Sequence, residues 1–233
     1  MKRRKRSSQY NVQHMDMNGN SELAVPQNTL GAELRQLENK QWEQITLPHT
    51  PFVEPLTVLH QWQGICYYKK KITITPEEAK KHIWIEFEGA MHLADVWING
   101  KHVMQHAGGY TPFVVDATGL LKTGKENELL VRLDNRNNSL IPPGKPLETL
   151  DFCYYGGIYR NVHLIAKADV HITHPILDGH PAGAGIFITY PKVSQELSVV
   201  DAKTEIKNTS DKEKVVELRH TLYTWKKQKG KDK

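Results

Sequence analysis

Cysteine is scarce in this 233-residue chain: Cys66 and Cys153 are its two cysteines, and they form no CxxC pair. That excludes a disulfide-stapled miniature fold, and two buried free thiols are the expected state. No apolar run approaches the ~20 residues that span a bilayer as a helix. The opening run Lys2-Arg3-Arg4-Lys5-Arg6 has the charge of a secretion-signal n-region, yet residues 7–20 are polar and supply no apolar h-region. Location is thereby left open between cytoplasm and periplasm. Zinc spacing, a recognition helix, RNA-binding aromatic motifs, a phosphate loop and an internal repeat are all missing, so neither nucleic acid nor a nucleotide cofactor is an expected partner. The net charge of +5 collects at the ends, in the basic start and in Lys226, Lys227, Lys229, Lys231 and Lys233. Such runs read as solvated tails.

Helical pattern is also in short supply. Residues 32–37 could form one short helix within a weakly ordered segment, 1–40. ITPEEAKK offers a second, with Thr75 as N-cap, Pro76 in the first turn and Glu78 closing a capping box. What fills the rest is period-2 alternation. Hydrophobic residues make up 39% of the chain and charged residues 24%, enough apolar matter for a packed core. In HIWIEFEG, Ile83, Ile85 and Phe87 alternate with Trp84, Glu86 and Glu88, which predicts a strand with the two glutamates on a solvent edge. LADVWINGKHV repeats the pattern through Leu93, Val96 and Ile98, then reaches Asn99-Gly100, a strong hairpin signal because both turn positions need φ > 0. ELLVRLDN predicts another strand, with Leu129, Val131 and Leu133 on one face. Many short strands punctuated by Gly, Pro and Asn indicate an all-β, two-sheet sandwich.

The character changes near Ala166. Beyond it, strands are expected at residues 185–190, 197–207 and 214–223. Residues 167–233 are fewer than the ~100 an immunoglobulin-type sandwich takes, so this second sandwich reads as incomplete.

Three stretches, in order, carry a family likeness: WQGICYYKKKITI, the run from FEGAMHLADVWING to ENELLVRLDN, and YYGGIYRNVHL. They resemble the N-terminal sugar-binding domain of glycoside hydrolase family 2, which contains β-galactosidases, β-glucuronidases and β-mannosidases. LPHT at residues 47–50 fits a family segment, although Pro51 stands where Trp is usual. The resemblance implies a jelly-roll (galactose-binding-domain-like) sandwich over 41–166, followed by a partial immunoglobulin-like sandwich with a basic tail over 167–233. In the family a TIM barrel with the catalytic residues comes next, and such a barrel needs ~250 residues. Its signatures Arg-x-x-His-Tyr-Pro and Trp-Gly-x-x-Asn-Glu are absent here. No catalytic residue is therefore expected in this chain.

DFCYYGGIYRNV, residues 151–162, places one carboxylate among rings ahead of a Gly-Gly pair. From the residues alone, Asp151 is either a turn acid or a group that reads hydroxyls. The resemblance puts it on a loop that leaves the sandwich for the barrel mouth, where it accepts hydrogen bonds from the terminal sugar. An ionised carboxylate is acceptor-only and can hold two adjacent hydroxyls. Gly156-Gly157 would let the backbone turn back into the next strand, and Arg160 is expected to pin that strand through a carboxylate or carbonyl. Phe152, Tyr154 and Tyr155 either stack on sugar C–H faces or fill the contact with the barrel. The resemblance also sends Trp62 and Gln63 toward the sugar. HAGGYTPF, with His106, Gly108, Gly109 and Tyr110, reads as a structured turn.

Other signals carry less. Asn127-Glu128 mimics the catalytic dipeptide but enters a sandwich strand. His171 and His174, three apart in a strand-like segment, fall on opposite faces, so no metal is expected. The sequence thus points to a non-catalytic part of a β-galactosidase-like enzyme that completes the glycone subsite. A free-standing carbohydrate-binding module and a remnant that self-associates into homo-oligomers stand beside that reading.

Overall fold

The computed structural model describes residues 5–6, 10–15, 42–52, 62–152, 154–180 and 184–223. The helix expected at 32–37 and Cys153 lie outside them. The chain divides into two compact units, Met1–Ala168 and Asp169–Lys233.

Two antiparallel sheets build the first unit. One runs β1 (Lys5–Arg6), β10 (Val162–Lys167), β5 (His82–Phe87), β8 (Phe113–Asp116). The other runs β3 (Glu43–Ile45), β2 (Tyr10–Met15), β4 (Ile65–Thr73), β9 (Glu126–Asp134), β6 (Leu93–Ile98), β7 (Lys101–Ala107). The segment expected to be weakly ordered therefore contributes a strand to each sheet. Between the sheets lies one apolar core, to which β5 sends Ile83, Ile85 and Phe87, and β9 sends Leu129, Val131 and Leu133. Phe87 and Phe113 stack with ring centroids 4.5 Å apart. Each such fully buried side chain stabilises the fold by roughly 1.5–3 kcal/mol.

Local signals in the sequence act as their chemistry demands. Asn99 and Gly100 both have positive φ, 52° and 79°, and close the β6–β7 hairpin. The single-turn helix α1 (Pro76–Ala79) has Thr75 as N-cap, with the reciprocal Thr75–Glu78 capping box in place.

Two expectations are corrected in this unit. On β6, Ala94, Val96 and Ile98 face the core, while Leu93 falls on the opposite face with Asp95 and Trp97, because a strand alternates strictly. Asp95 is buried there and lies 3.6 Å from the buried Arg132 guanidinium, with His102 and Gln105 also reaching its Oδ1. Glu86 and Glu88 are not at a solvent edge, since β5 sits between β10 and β8. The Glu88 carboxylate is instead bonded by Asn161 Nδ2 (2.9 Å) and His163 Nε2 (2.8 Å), which hold it below the usual carboxylate range.

In the second unit β11 (Val170–Ile172) pairs with β14 (Ile206–Asn208), and β12 (Ile186–Val193) with β13 (Ser198–Thr204). The strand expected at 197–207 is thus two strands. Residues 214–223 form none, contrary to expectation. Strand β11 ends before His174, whose Nδ1 accepts the Ile176 N–H in a turn, so strand alternation does not govern it. Ile186, Ile188 and Tyr190 are exposed along the β12–β13 hairpin.

Candidate functional site

The site is built at one end of the first unit, where β9 runs out into residues 135–157. Asn138 Oδ1 accepts the Leu140 N–H, Gly144 turns with φ 69°, and a 3-10 turn (Leu147–Thr149) follows. Leu147 and Leu150 then settle on a small apolar cluster with Met91, Tyr154 and Tyr159. Directly after that anchor the chain becomes exposed at Asp151 and Phe152. Among the described residues no hydrogen bond or ion pair engages the Asp151 carboxylate.

The return stroke is crowded. Gly157 has φ 98°, and a Cβ there would come within 3 Å of the Tyr68 hydroxyl, Pro51 and the His49 carbonyl. Met91 N–H donates to Gly157 O (2.9 Å) and His49 N–H to Ile158 O (2.8 Å). The LPHT segment thus docks on the chain that follows the Gly-Gly pair. His49 Nδ1 lies 3.1 Å from the Tyr68 hydroxyl, a phenol that burial and the neighbouring Cys66 push up.

The expected site residues separate by role. Tyr154 is only 2% exposed, and its hydroxyl donates to Pro142 O (2.8 Å). The His92 and Tyr110 rings pack against it in T-shaped contacts, with centroids 5.8 and 5.9 Å away. Burial, with Tyr110 and Tyr159 adding to it, pushes the Tyr154 phenol far up, so it stays a neutral donor. Tyr155 is half-buried. Trp62 is half-buried against the core, and its ring lies over Gly64 and Gly156, so it does meet the loop that carries Asp151. Arg160 lies over the Tyr159 ring at 5.5 Å, and among the described residues it has no carboxylate or carbonyl partner of the kind expected. HAGGYTPF is a turn, held where the Tyr159 hydroxyl donates to Gly109 O. Asn127 is fully buried and spends its side chain on Ile72, Lys122, Lys125 and Asn99, while Glu128 pairs with Lys69 at 2.6 Å. That dipeptide is structural.

Sequence reasoning passed over three residues here. Asn135 is 1% exposed; its Oδ1 accepts the Gly64 N–H (2.8 Å) and its Nδ2 donates to Trp62 O (3.0 Å). Asn137 accepts the Leu147 N–H on Oδ1 (3.0 Å) and gives its own N–H to Gln63 Oε1 (2.9 Å). The run of asparagines straight after a strand was the available signal. His92 is buried, and among the described residues its Nδ1 has no hydrogen-bond partner. Burial lowers its imidazole pKa against the pull of Asp134, so it is neutral near pH 7. These residues, with Lys145, Leu150 and Tyr154, line a shallow cleft that is open to solvent. Among the described residues no group of three or more His, Cys, Asp or Glu is placed to hold a metal ion.

Residues 11–168 match the family model described as "Glycosyl hydrolases family 2, sugar binding domain". The chain belongs to glycosyl hydrolase family 2. Within family 2 it is 32% identical over 190 residues to a beta-glucuronidase of Formosa agariphila, covering 76% of this chain and 19% of that one. It is 33% identical over 192 residues to a beta-galactosidase of Thermoanaerobacter pseudethanolicus, covering 80% and 26%. The crystal structure of Bacteroides uniformis beta-glucuronidase superposes with a TM-score of 0.65 at 27% identity, covering 89% of this chain and 23% of that one. The chain therefore spans about a fifth to a quarter of the length of these family 2 relatives, and its residues 11–168 correspond to the family's N-terminal sugar-binding domain.

Proposed function

We propose that this chain forms the sugar-facing wall of a family 2 β-glycosidase site. Asp151 accepts hydrogen bonds from hydroxyls of a terminal β-glycoside, and the half-buried Trp62 and Tyr155 border the same rim. The observation that carries this reading is the state of Asp151, an exposed carboxylate with no partner among the described residues, on a loop anchored on both sides. A carboxylate held this way loses little entropy when it takes two adjacent hydroxyls, and it fixes the orientation of the ring. Tyr154 serves as a post that holds the loop.

Hydrolysis needs a pair of carboxylates in defined separation, one to protonate the leaving oxygen and one to attack or activate water. In this reading both come from the part of the relatives' length that this chain does not span, and the reaction is retaining hydrolysis of a terminal β-galactoside or β-glucuronide. The chain alone binds such glycosides weakly and turns none over. Saturation-transfer NMR with methyl β-galactoside and methyl β-glucuronide tests it. The wild-type chain gives transfer to at least one glycoside, and Asp151→Asn removes it. Equal transfer in both proteins overturns the assignment of Asp151. Hydrolysis of a chromogenic β-glycoside in proportion to purified chain overturns the non-catalytic role.

A further inference from the structure

The two candidate sugar-facing loops have no sequence in common, yet both are fastened to the same two residues, Asn135 and Asn137. Strand β9 ends at Asp134, and the next residues are Asn135, Arg136 and Asn137. Asn135 grips the Trp62 loop twice through its side chain, at Gly64 N–H and Trp62 O, and a third time where its own N–H donates to Gly64 O (3.2 Å). The other flank of the same amide lies under Gly156, where a Cβ would sit 2.8 Å from Asn135 Nδ2. Asn137 joins the same two loops by a second route. Its backbone N–H is held by Gln63, and its side-chain oxygen takes the Leu147 N–H at the head of the 3-10 turn that delivers Asp151. Between them Arg136 is clamped back on Asp134 through Nε (2.9 Å) and Nη2 (2.6 Å), which fixes the direction in which the strand exit points.

We infer that Asn135 and Asn137 are positioning residues, which set Trp62 and Asp151 at a fixed separation so that the rim meets a glycoside as one preorganised surface. This rests on the sugar-facing reading above. Neither asparagine touches sugar. Each acts through a neighbour, by replacing two independently fluctuating loops with one body. Preorganisation of this kind raises affinity by removing the entropy cost of ordering each loop on binding.

Asn137 is the residue to change, because it is exposed and the sandwich does not depend on it for packing. In Asn137→Ala the Leu147 amide loses hydrogen-exchange protection about tenfold, the Trp62 indole resonance shifts and broadens, and saturation transfer to the glycosides falls. Asn137→Asp restores the acceptor for Leu147, but places a carboxylate beside Glu148, whose Oε2 lies 3.5 Å from Asn137 Nδ2. The pair Asn137→Asp with Glu148→Gln removes that repulsion, and all three readouts return toward wild type. Ser139→Ala, exposed on the same loop, leaves them unchanged. Unaltered Leu147 protection in Asn137→Ala overturns the tie. Loss of that protection with no change at Trp62 overturns the coupling of the loops. A wild-type chain that gives no transfer to either glycoside removes the sugar reading alone, since the amide and indole signals still judge the tie.

Discussion

Asp134 shows how one side chain serves both packing and site. Burial alone would raise its carboxyl pKa, but hydrogen bonds and charge from Arg136, with Arg132 beyond, overcome that and hold it below the usual carboxylate range. A depressed pKa stabilises the fold above the unfolded value of about 3.9 and loses that contribution as pH falls through the native value. Wild type is therefore expected to lose stability more steeply than Asp134→Asn below about pH 4. Urea unfolding between pH 2 and 6 measures it: the gap between the two proteins narrows toward the acid end. A gap independent of pH would show that the ion pairs to Arg136 and Arg132 contribute nothing net. The same residue illustrates what the sequence hides. Leu133-Asp134-Asn135 at the end of a strand reads as a polar exit, and nothing in its spacing says that Arg132 lies buried beside it with Asp95 within 3.6 Å. Cross-strand partners come from residues distant in sequence, so their pairing is written only in the fold.

Elements defined by local chemistry were the most legible. The capping box at Thr75 and the hairpin at Asn99-Gly100 need only neighbours in sequence, and both are where the residues place them. Alternation marked the inward faces of β5 and β9 correctly. It misassigned Leu93, because β6 is buried on both faces and alternation of polarity fades in such strands. The 214–223 segment differs in another way: Val215, Val216, Leu218 and Leu222 are exposed, and these residues pair with no strand among the described residues. At the site, the Gly-Gly bend was readable, whereas the burial of Tyr154 was not, since it depends on Pro142, His92 and Tyr110 converging from three other segments. Two glycines permit a direct comparison. Gly100 has open space where an added methyl would point, so Gly100→Ala suffers only from its φ of 79°, by about 1 kcal/mol. Gly157→Ala adds steric collision with Tyr68, Pro51 and the His49 carbonyl, and is expected to cost at least about 3 kcal/mol. Denaturant midpoints of the two variants decide it; equal losses would mean that the LPHT segment yields freely.

At the scale of the molecule, the two units differ in how they meet water. Every residue of the main core cluster belongs to the first unit. A chain ending at Ala168 is accordingly expected to keep a cooperative melt and the near-ultraviolet signature of Trp84 and Trp97, both buried. It should also bind far less of the dye ANS than the whole chain. Loss of the cooperative transition would show that the first unit is not self-sufficient.

The β12–β13 ribbon leaves Ile186 and Ile188 about half uncovered and Tyr190 more so. Attraction between such surfaces strengthens with warmth and fades in the cold, because water's reluctance to hydrate hydrocarbon is chiefly entropic near room temperature. Solutions of the whole chain should thus cloud on gentle heating and clear again on ice, with the thermometer, more than ionic strength, governing how the particles cohere.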